Sequence, residues 1–226
     1  MKTLTKEIQD AITPSMALEL LIEGNKRFVN NLKVNRNLLQ QANETSDGQH
    51  PFAVILSCID SRTSAELIFD QGLGDVFSVR IAGNIINEDI LGSMEFGCKV
   101  AGAKIIVVLG HTKCGAIKGA CDHVEMGHLT ALLTKIKPAV DEELTTKENR
   151  NSSNGIFVEK VAALNVKRTV QSIMERSPIL NGMIKEGQIG IVGGMHDIAT
   201  GLVEFYPRTM INSPNGVNET PQRVSM

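Results

Sequence analysis

The sequence predicts a single α/β domain built on a central parallel sheet of about four strands plus an edge strand, with helices on both faces and an N-terminal helical arm. Two observations carry this expectation. Short continuous runs of β-branched and apolar residues alternate with longer helix-like stretches, the pattern of strands buried on both faces. A length of 226 residues suits one large α/β domain with appendages. Only 4% of the chain is aromatic, without Trp and with one Tyr, so the core must be made of Ile, Val, Leu, Met and Ala.

The elements follow in chain order. Thr13 and Pro14 open a capped helix, since Pro in a first turn loses no hydrogen bond, and Leu18, Leu21, Ile22 and Phe28 recur at helical spacing toward an end near Asn30. Residues 32–50 are rich in Asn and Gln and are expected to form an irregular arm lying on another surface, such as a partner subunit. Strands are predicted over 52–57, 76–79, 104–109 and 189–192, separated by helices at about 63–70, 87–101, 115–136 and 156–176. Residues 147–155 read as a polar loop, and Gly193, Gly194 and Gly201 as a turn into a last strand over 202–206. We expect residues 1–206 to form one domain, with 1–50 as helical arm and dimer contacts, and 207–226 to be a C-terminal tail.

Charge excludes some functions. With 23 Lys and Arg against 25 Asp and Glu, the net charge of −2 offers no broad attraction to phosphate backbones or anionic membranes. Neither a nucleic-acid nor a membrane partner is expected. Charged residues among the first ten do not match a signal peptide, and four cysteines (Cys58, Cys98, Cys114, Cys121) are too few for a disulfide scaffold, so the expected location is the cytoplasm.

Chemistry concentrates after two strands, where ligands of open parallel sheets bind. The first is followed by Cys58, Asp60 and Arg62, the third by His111 and Cys114. If these strands are neighbours, two thiols and an imidazole converge, leaving a fourth position for Asp60 or water: a zinc donor set. Taken singly, each Cys would read as a small buried hydrophobe and the Asp60–Arg62 pair as a surface ion pair. Cys98 and Cys121 fall in helical patterns and are expected in the core, while His123 and His128 lie in a polar stretch and are expected in solvent. His196, near the last strand, is a structural histidine or a proton carrier.

Cys58, Asp60 and Arg62 followed by His111 and Cys114 resemble the β-class carbonic anhydrases. The likeness runs from the segment Glu23 to Phe28, through Arg80 to Asn84 and Ser93 to Phe96, to about Phe205. It implies that Cys58, His111 and Cys114 ligate one Zn2+ per chain and that Asp60 and Arg62 form a catalytic dyad beside it. It further implies that Gln49 binds substrate from across a dimer interface, and that Phe77, Ala82 and Phe96 line an apolar CO2 pocket, although many relatives carry Val at the second of these positions and Tyr at the third. Implied too are N-terminal helices reaching over a neighbouring subunit, assembly as a homodimer or dimer of dimers, and reversible hydration of CO2 to bicarbonate. Relatives with the same zinc set hydrolyse carbonyl sulfide or carbon disulfide, which is the alternative activity; a purely structural zinc site is the non-enzymatic one.

The residue types suit CO2 hydration, which needs hydroxide at neutral pH beside an apolar molecule. Zinc lowers the pKa of bound water, but two thiolates cancel its formal charge, so this site should acidify water less than three histidines would. Asp60 as a carboxylate can accept a hydrogen bond from the hydroxide and aim it, and Arg62, always charged, keeps Asp60 ionised and oriented. Without a Trp to complete the bicarbonate site of pH-regulated relatives, the site is expected in its open form, Asp60 held by Arg62.

Overall fold

The computed structural model describes residues 3–211. Its sheet has five strands in the order β2-β1-β3-β4-β5: β1 Ala53–Ser57, β2 Val76–Arg80, β3 Ile105–His111, β4 Gly190–His196 and β5 Val203–Ile211. The first four are parallel and β5 runs antiparallel at one edge. The expected four-plus-one sheet is therefore the observed one. β1 and β3 are buried along their whole length, which is why they read as unbroken apolar runs.

Alternate residues of these strands feed opposite cores. Val54, Leu56, Ile106, Val108 and Ile191 face α5 (Glu88–Glu95), the following π-turn Phe96–Val100, α9 (Gly155–Arg176) and α10 (Pro178–Lys185). Ala53, Ile55, Ile105, Val107 and Val192 face α2 (Pro14–Val29) and α4 (Ala65–Ile68). A third apolar cluster sits beyond the strand ends, where α6 (Gly115–Cys121), α7 (Gly127–Thr134), α8 (Lys137–Glu142) and the start of α9 enclose Cys58 and Cys114. Cys98 and Cys121 are buried core residues and His123 and His128 are exposed, as expected. Among the described residues no helix is long and apolar enough to cross a membrane.

Several boundaries differ from the sequence expectations. The helix expected over 115–136 is divided, because His123 (φ 53°) and Gly127 (φ 43°) adopt left-handed backbone that no helix can continue through. The 32–50 arm contains α3 (Leu38–Glu44), capped by Asn37, whose side chain accepts from the Gln40 amide. The arm rests on its own chain: Arg36 donates to the Asp70 carboxylate at 2.5 Å, and Gln41 accepts from the Leu73 amide. Ahead of α2, α1 (Lys6–Ala11) is pinned by Gln9, which donates to the carbonyls of Pro51 at 2.7 Å and Ala101 at 2.8 Å. Gly193 and Gly194 are not a turn: they belong to β4, and at Gly194 a Cβ would stand 3.2 Å from the Glu204 carbonyl of β5. β5 runs on through residue 211, past the expected strand end at 206, and positions 212–226 of the expected tail lie outside the described residues. α10 was not expected, although Ser177 caps it and Pro178 opens it, a start signal present in the sequence.

Candidate active site

β1 and β3 are hydrogen-bonded neighbours, with Ser57 opposite Leu109, so the residues that follow them emerge side by side. Cys58 leaves the end of β1, His111 closes β3, and Cys114 stands immediately before the first residue of α6. All three are buried, and their Sγ and imidazole nitrogen atoms lie within 4.8 Å of one another. The two sulfurs are 4.0 Å apart. A tetrahedral zinc with Zn–S near 2.3 Å sets two sulfurs about 3.8 Å apart.

The imidazole is oriented for ligation. Nδ1 of His111 lies 2.9 Å from the Thr112 carbonyl, an acceptor, so that nitrogen carries the proton and Nε2 presents its lone pair. Nε2 is buried without a hydrogen-bond partner, an arrangement that costs free energy unless a cation takes the lone pair. The thiols point the same way. The contact with Cys114 draws the Cys58 thiol down, toward the thiolate, while the same contact and burial push Cys114 up. The Gly83 amide donates to Cys58 Sγ at 3.4 Å, and the Ala116 and Ile117 amides of the α6 first turn draw Cys114 toward thiolate. The donor set fits a divalent, thiophilic cation.

Asp60 stands beside this cluster, with Oδ2 4.0 Å from His111 Nε2. Arg62 grips it with both prongs, Nε to Oδ1 at 2.9 Å and Nη2 to Oδ2 at 2.8 Å, and its backbone amide donates to Oδ1 at 3.0 Å. The Arg62 guanidinium holds the Asp60 carboxyl well below the usual carboxylate range. Arg80 braces the turn from β2, donating to the Cys58 carbonyl at 3.1 Å and the Asp60 carbonyl at 2.7 Å.

The remaining expected site residues are placed less uniformly. Ala82 directly precedes Gly83, whose amide donates to Cys58 Sγ. Phe77 and Phe96 pack edge-on with ring centroids 6.3 Å apart and line an open cleft of about 810 Å3 on the β2 flank. Phe77 is in register with Val54, well before Cys58 along the strand direction, so within one chain these rings do not wall the metal donors. Gln49 is exposed on the arm. His196 is buried on β4 in register with His111, with Nδ1 unpartnered, and burial pulls it down to about 4. Sequence reasoning assigned no role to Arg80, Gly83 or Asn165. For Asn165 the available signal was a polar residue on the mostly apolar buried face of α9.

Comparison with known proteins agrees with this geometry. The family model described as carbonic anhydrase matches residues 53–203. A carbonic anhydrase of Mycolicibacterium smegmatis is 35% identical over 195 residues, covering 85% of this chain and 93% of that protein. The structure of the β-carbonic anhydrase CafA of Aspergillus fumigatus superposes with a TM-score of 0.65 at 26% identity, covering 85% of this chain and 89% of that one. One of two tetrameric β-carbonic anhydrases of Sordaria macrospora shares the fold with a TM-score of 0.63 at 23% identity, covering 84% and 94%. From the matched span, the identity to a nearly full-length relative and the Cys58, His111 and Cys114 donor set, the chain belongs to the β-class carbonic anhydrases.

Proposed function

We propose that this protein is a zinc-dependent carbonic anhydrase that interconverts CO2 and bicarbonate, with Cys58, His111 and Cys114 holding one Zn2+ per chain. The observation that carries the reading is the convergence of two buried sulfurs and an unpartnered buried Nε2 beside an arginine-held carboxylate. When bound, zinc supplies the Lewis acidity that makes a water molecule nucleophilic near neutral pH.

The chain's own residues do the rest. Asp60 is kept ionised by Arg62, so its Oδ2 remains a hydrogen-bond acceptor facing the donor cluster. An acceptor fixed there holds the reacting water's proton at Oδ2 and leaves a lone pair to face CO2. Arg80 and the Arg62 amide fix the turn that carries Asp60, limiting the reorientation needed at each turnover. Ile85, Ile117 and Ala120 surround the sulfurs with apolar surface, which suits an uncharged linear substrate and keeps bulk water away.

The finer reading places a second copy of the chain on the β2 edge. β2 ends the sheet order, and beside it Phe96 is 54% and Val100 71% exposed, which supports burial of this flank in a homodimer or dimer of dimers. Such a partner is what Gln49, Phe77 and Phe96 need in order to act as substrate-binding residues. Cys98 and Cys121, buried as free thiols in the core, support work in a reducing compartment, the cytoplasm.

Stopped-flow CO2 hydration by the zinc-loaded protein tests the activity. Turnover abolished by chelation and restored by zinc is expected. A zinc-replete protein inert toward CO2 but active on carbonyl sulfide or carbon disulfide would replace this substrate assignment, and inertness toward all three would leave a structural zinc site.

A further inference from the structure

We propose that Asn165, midway along α9, is a positioning residue for the metal centre: it holds Gly83 so that the Gly83 amide keeps its hydrogen bond to Cys58 Sγ. The inference rests on the reading of Cys58, His111 and Cys114 as metal ligands.

Asn165 is out of place by ordinary helix logic. Apart from Thr169, its neighbours on the buried face of α9 are apolar, among them Val158, Val161, Ala162, Val166 and Ile173, and it is 3% exposed. A buried amide is tolerated where it is hydrogen-bonded, and an unmade bond costs about 1–3 kcal/mol. Nδ2 of Asn165 donates to the Gly83 carbonyl at 2.8 Å, which accounts for its presence.

Gly83 is the residue that most needs such a hold. It sits in the left-handed region at φ 69°, which strains a residue with a Cβ, and a Cβ there would stand 2.6 Å from Cδ1 of Ile136, so the position favours glycine. Glycine is also the residue with the most backbone freedom, so the direction of its amide has to be fixed by its surroundings. Gly83 is held on one side through its carbonyl by Asn165, and on the other its N–H reaches Cys58 Sγ at 3.4 Å. One helical turn further on, Thr169 Oγ1 lies 3.5 Å from the adjacent Asn84 carbonyl, a long contact that adds little.

An N–H donated to a ligating thiolate draws charge from the sulfur and weakens its donation to the metal, leaving the cation more electron-poor. With two thiolates offsetting the metal's formal charge, one such hydrogen bond bears directly on the Lewis acidity this site retains. Asn165 touches neither substrate nor metal and acts only through Gly83.

The test is the thiolate-to-cobalt charge-transfer absorption of the cobalt(II)-substituted full chain, which reports charge on sulfur without turnover. Asn165→Leu and the smaller Asn165→Ser should move the band to longer wavelength, because a sulfur deprived of its donor gives up an electron more easily. Thr169→Val, a comparable change to the same buried helix face, should leave the band where it is. If Asn165→Leu does not fold, Asn165→Ser makes the same measurement. An unmoved band in the Asn165 variants, or an equal shift in Thr169→Val, would overturn the proposal. Cys58→Ser should lose part of the band's intensity; full intensity would defeat the ligand reading itself, a failure separate from that of Asn165.

Discussion

Removing Arg62 separates the chemistry of Asp60 from its placement. In Arg62→Ala the carboxylate loses the contacts at 2.9 and 2.8 Å and keeps one hydrogen bond from the backbone amide of residue 62 at 3.0 Å. Loss of a residue that orients a metal-site group typically costs about 10–100-fold in activity. The Arg62 side chain is 52% exposed, so solvent screens part of its hold, and a loss near the lower end, about 10-fold in kcat/KM, is expected. Asp60→Asn removes the anionic acceptor and should cost about 100-fold or more. Because Arg62 acts through Asp60, the double variant should be about as slow as Asp60→Asn alone, the non-additivity expected of two residues in one unit. Stopped-flow CO2 hydration with the zinc-loaded single and double variants completes the cycle. Losses that multiply, or an Arg62→Ala enzyme as fast as the parent, would refute the view that Arg62 works by holding Asp60.

Metal analysis tests the donor set: Cys58→Ser and Cys114→Ser should each lose most of their zinc, and full occupancy in both by elemental analysis would reject these ligands. Two glycine substitutions should differ in sign. In Gly24→Ala the new Cβ would stand 1.8 Å from the Phe69 carbonyl oxygen, so overpacking should cost about 1–3 kcal/mol or more and lower Tm by about 5 °C. Nothing lies within 4 Å of a Cβ at Gly182 in α10, so Gly182→Ala should raise Tm by about 2 °C in the same calorimetric scan. Burial alone would raise the Glu143 carboxyl, but hydrogen bonds from Thr145 and Thr146 and the Lys160 ammonium bring it down to about 2. A carboxyl lowered in the folded state stabilises the fold above its unfolded value near 4.5 and loses that contribution as pH falls toward 2. The Tm difference between the parent and Glu143→Gln should therefore be present at pH 6 and shrink between 4.5 and 2; a difference constant over that range would contradict it.

Much of the frame was legible because it depends on local pattern. β1 over 53–56 and β3 over 105–109 are covered on both faces and are apolar in consecutive residues, a requirement that the sequence records locally. Helix starts with a local cap, such as Thr13 with Pro14, were readable for the same reason. Boundaries set by long-range packing were not. The break after α6 depends on left-handed backbone at His123, a residue with no strong preference for it, and the extra length of β4 depends on Gly194 lying against β5.

Residue types and their spacing suffice for the kind of sheet and the donor types: thiols, an imidazole and a carboxylate with its arginine, placed just after buried strands. That they meet is a consequence of how the strands and helices dock. Register between β1 and β3 sets Cys58 beside His111, the Thr112 carbonyl selects the nitrogen that His111 presents, and Arg80 and Gly83 enclose the Cys58 turn from β2 and the segment after it. Asn165 reaches the same place from a helix far along the chain. Burial periodicity acts over a few residues and is recorded in them, whereas hydrogen bonds between distant backbone segments depend on how strands and helices dock, which no local stretch of sequence encodes.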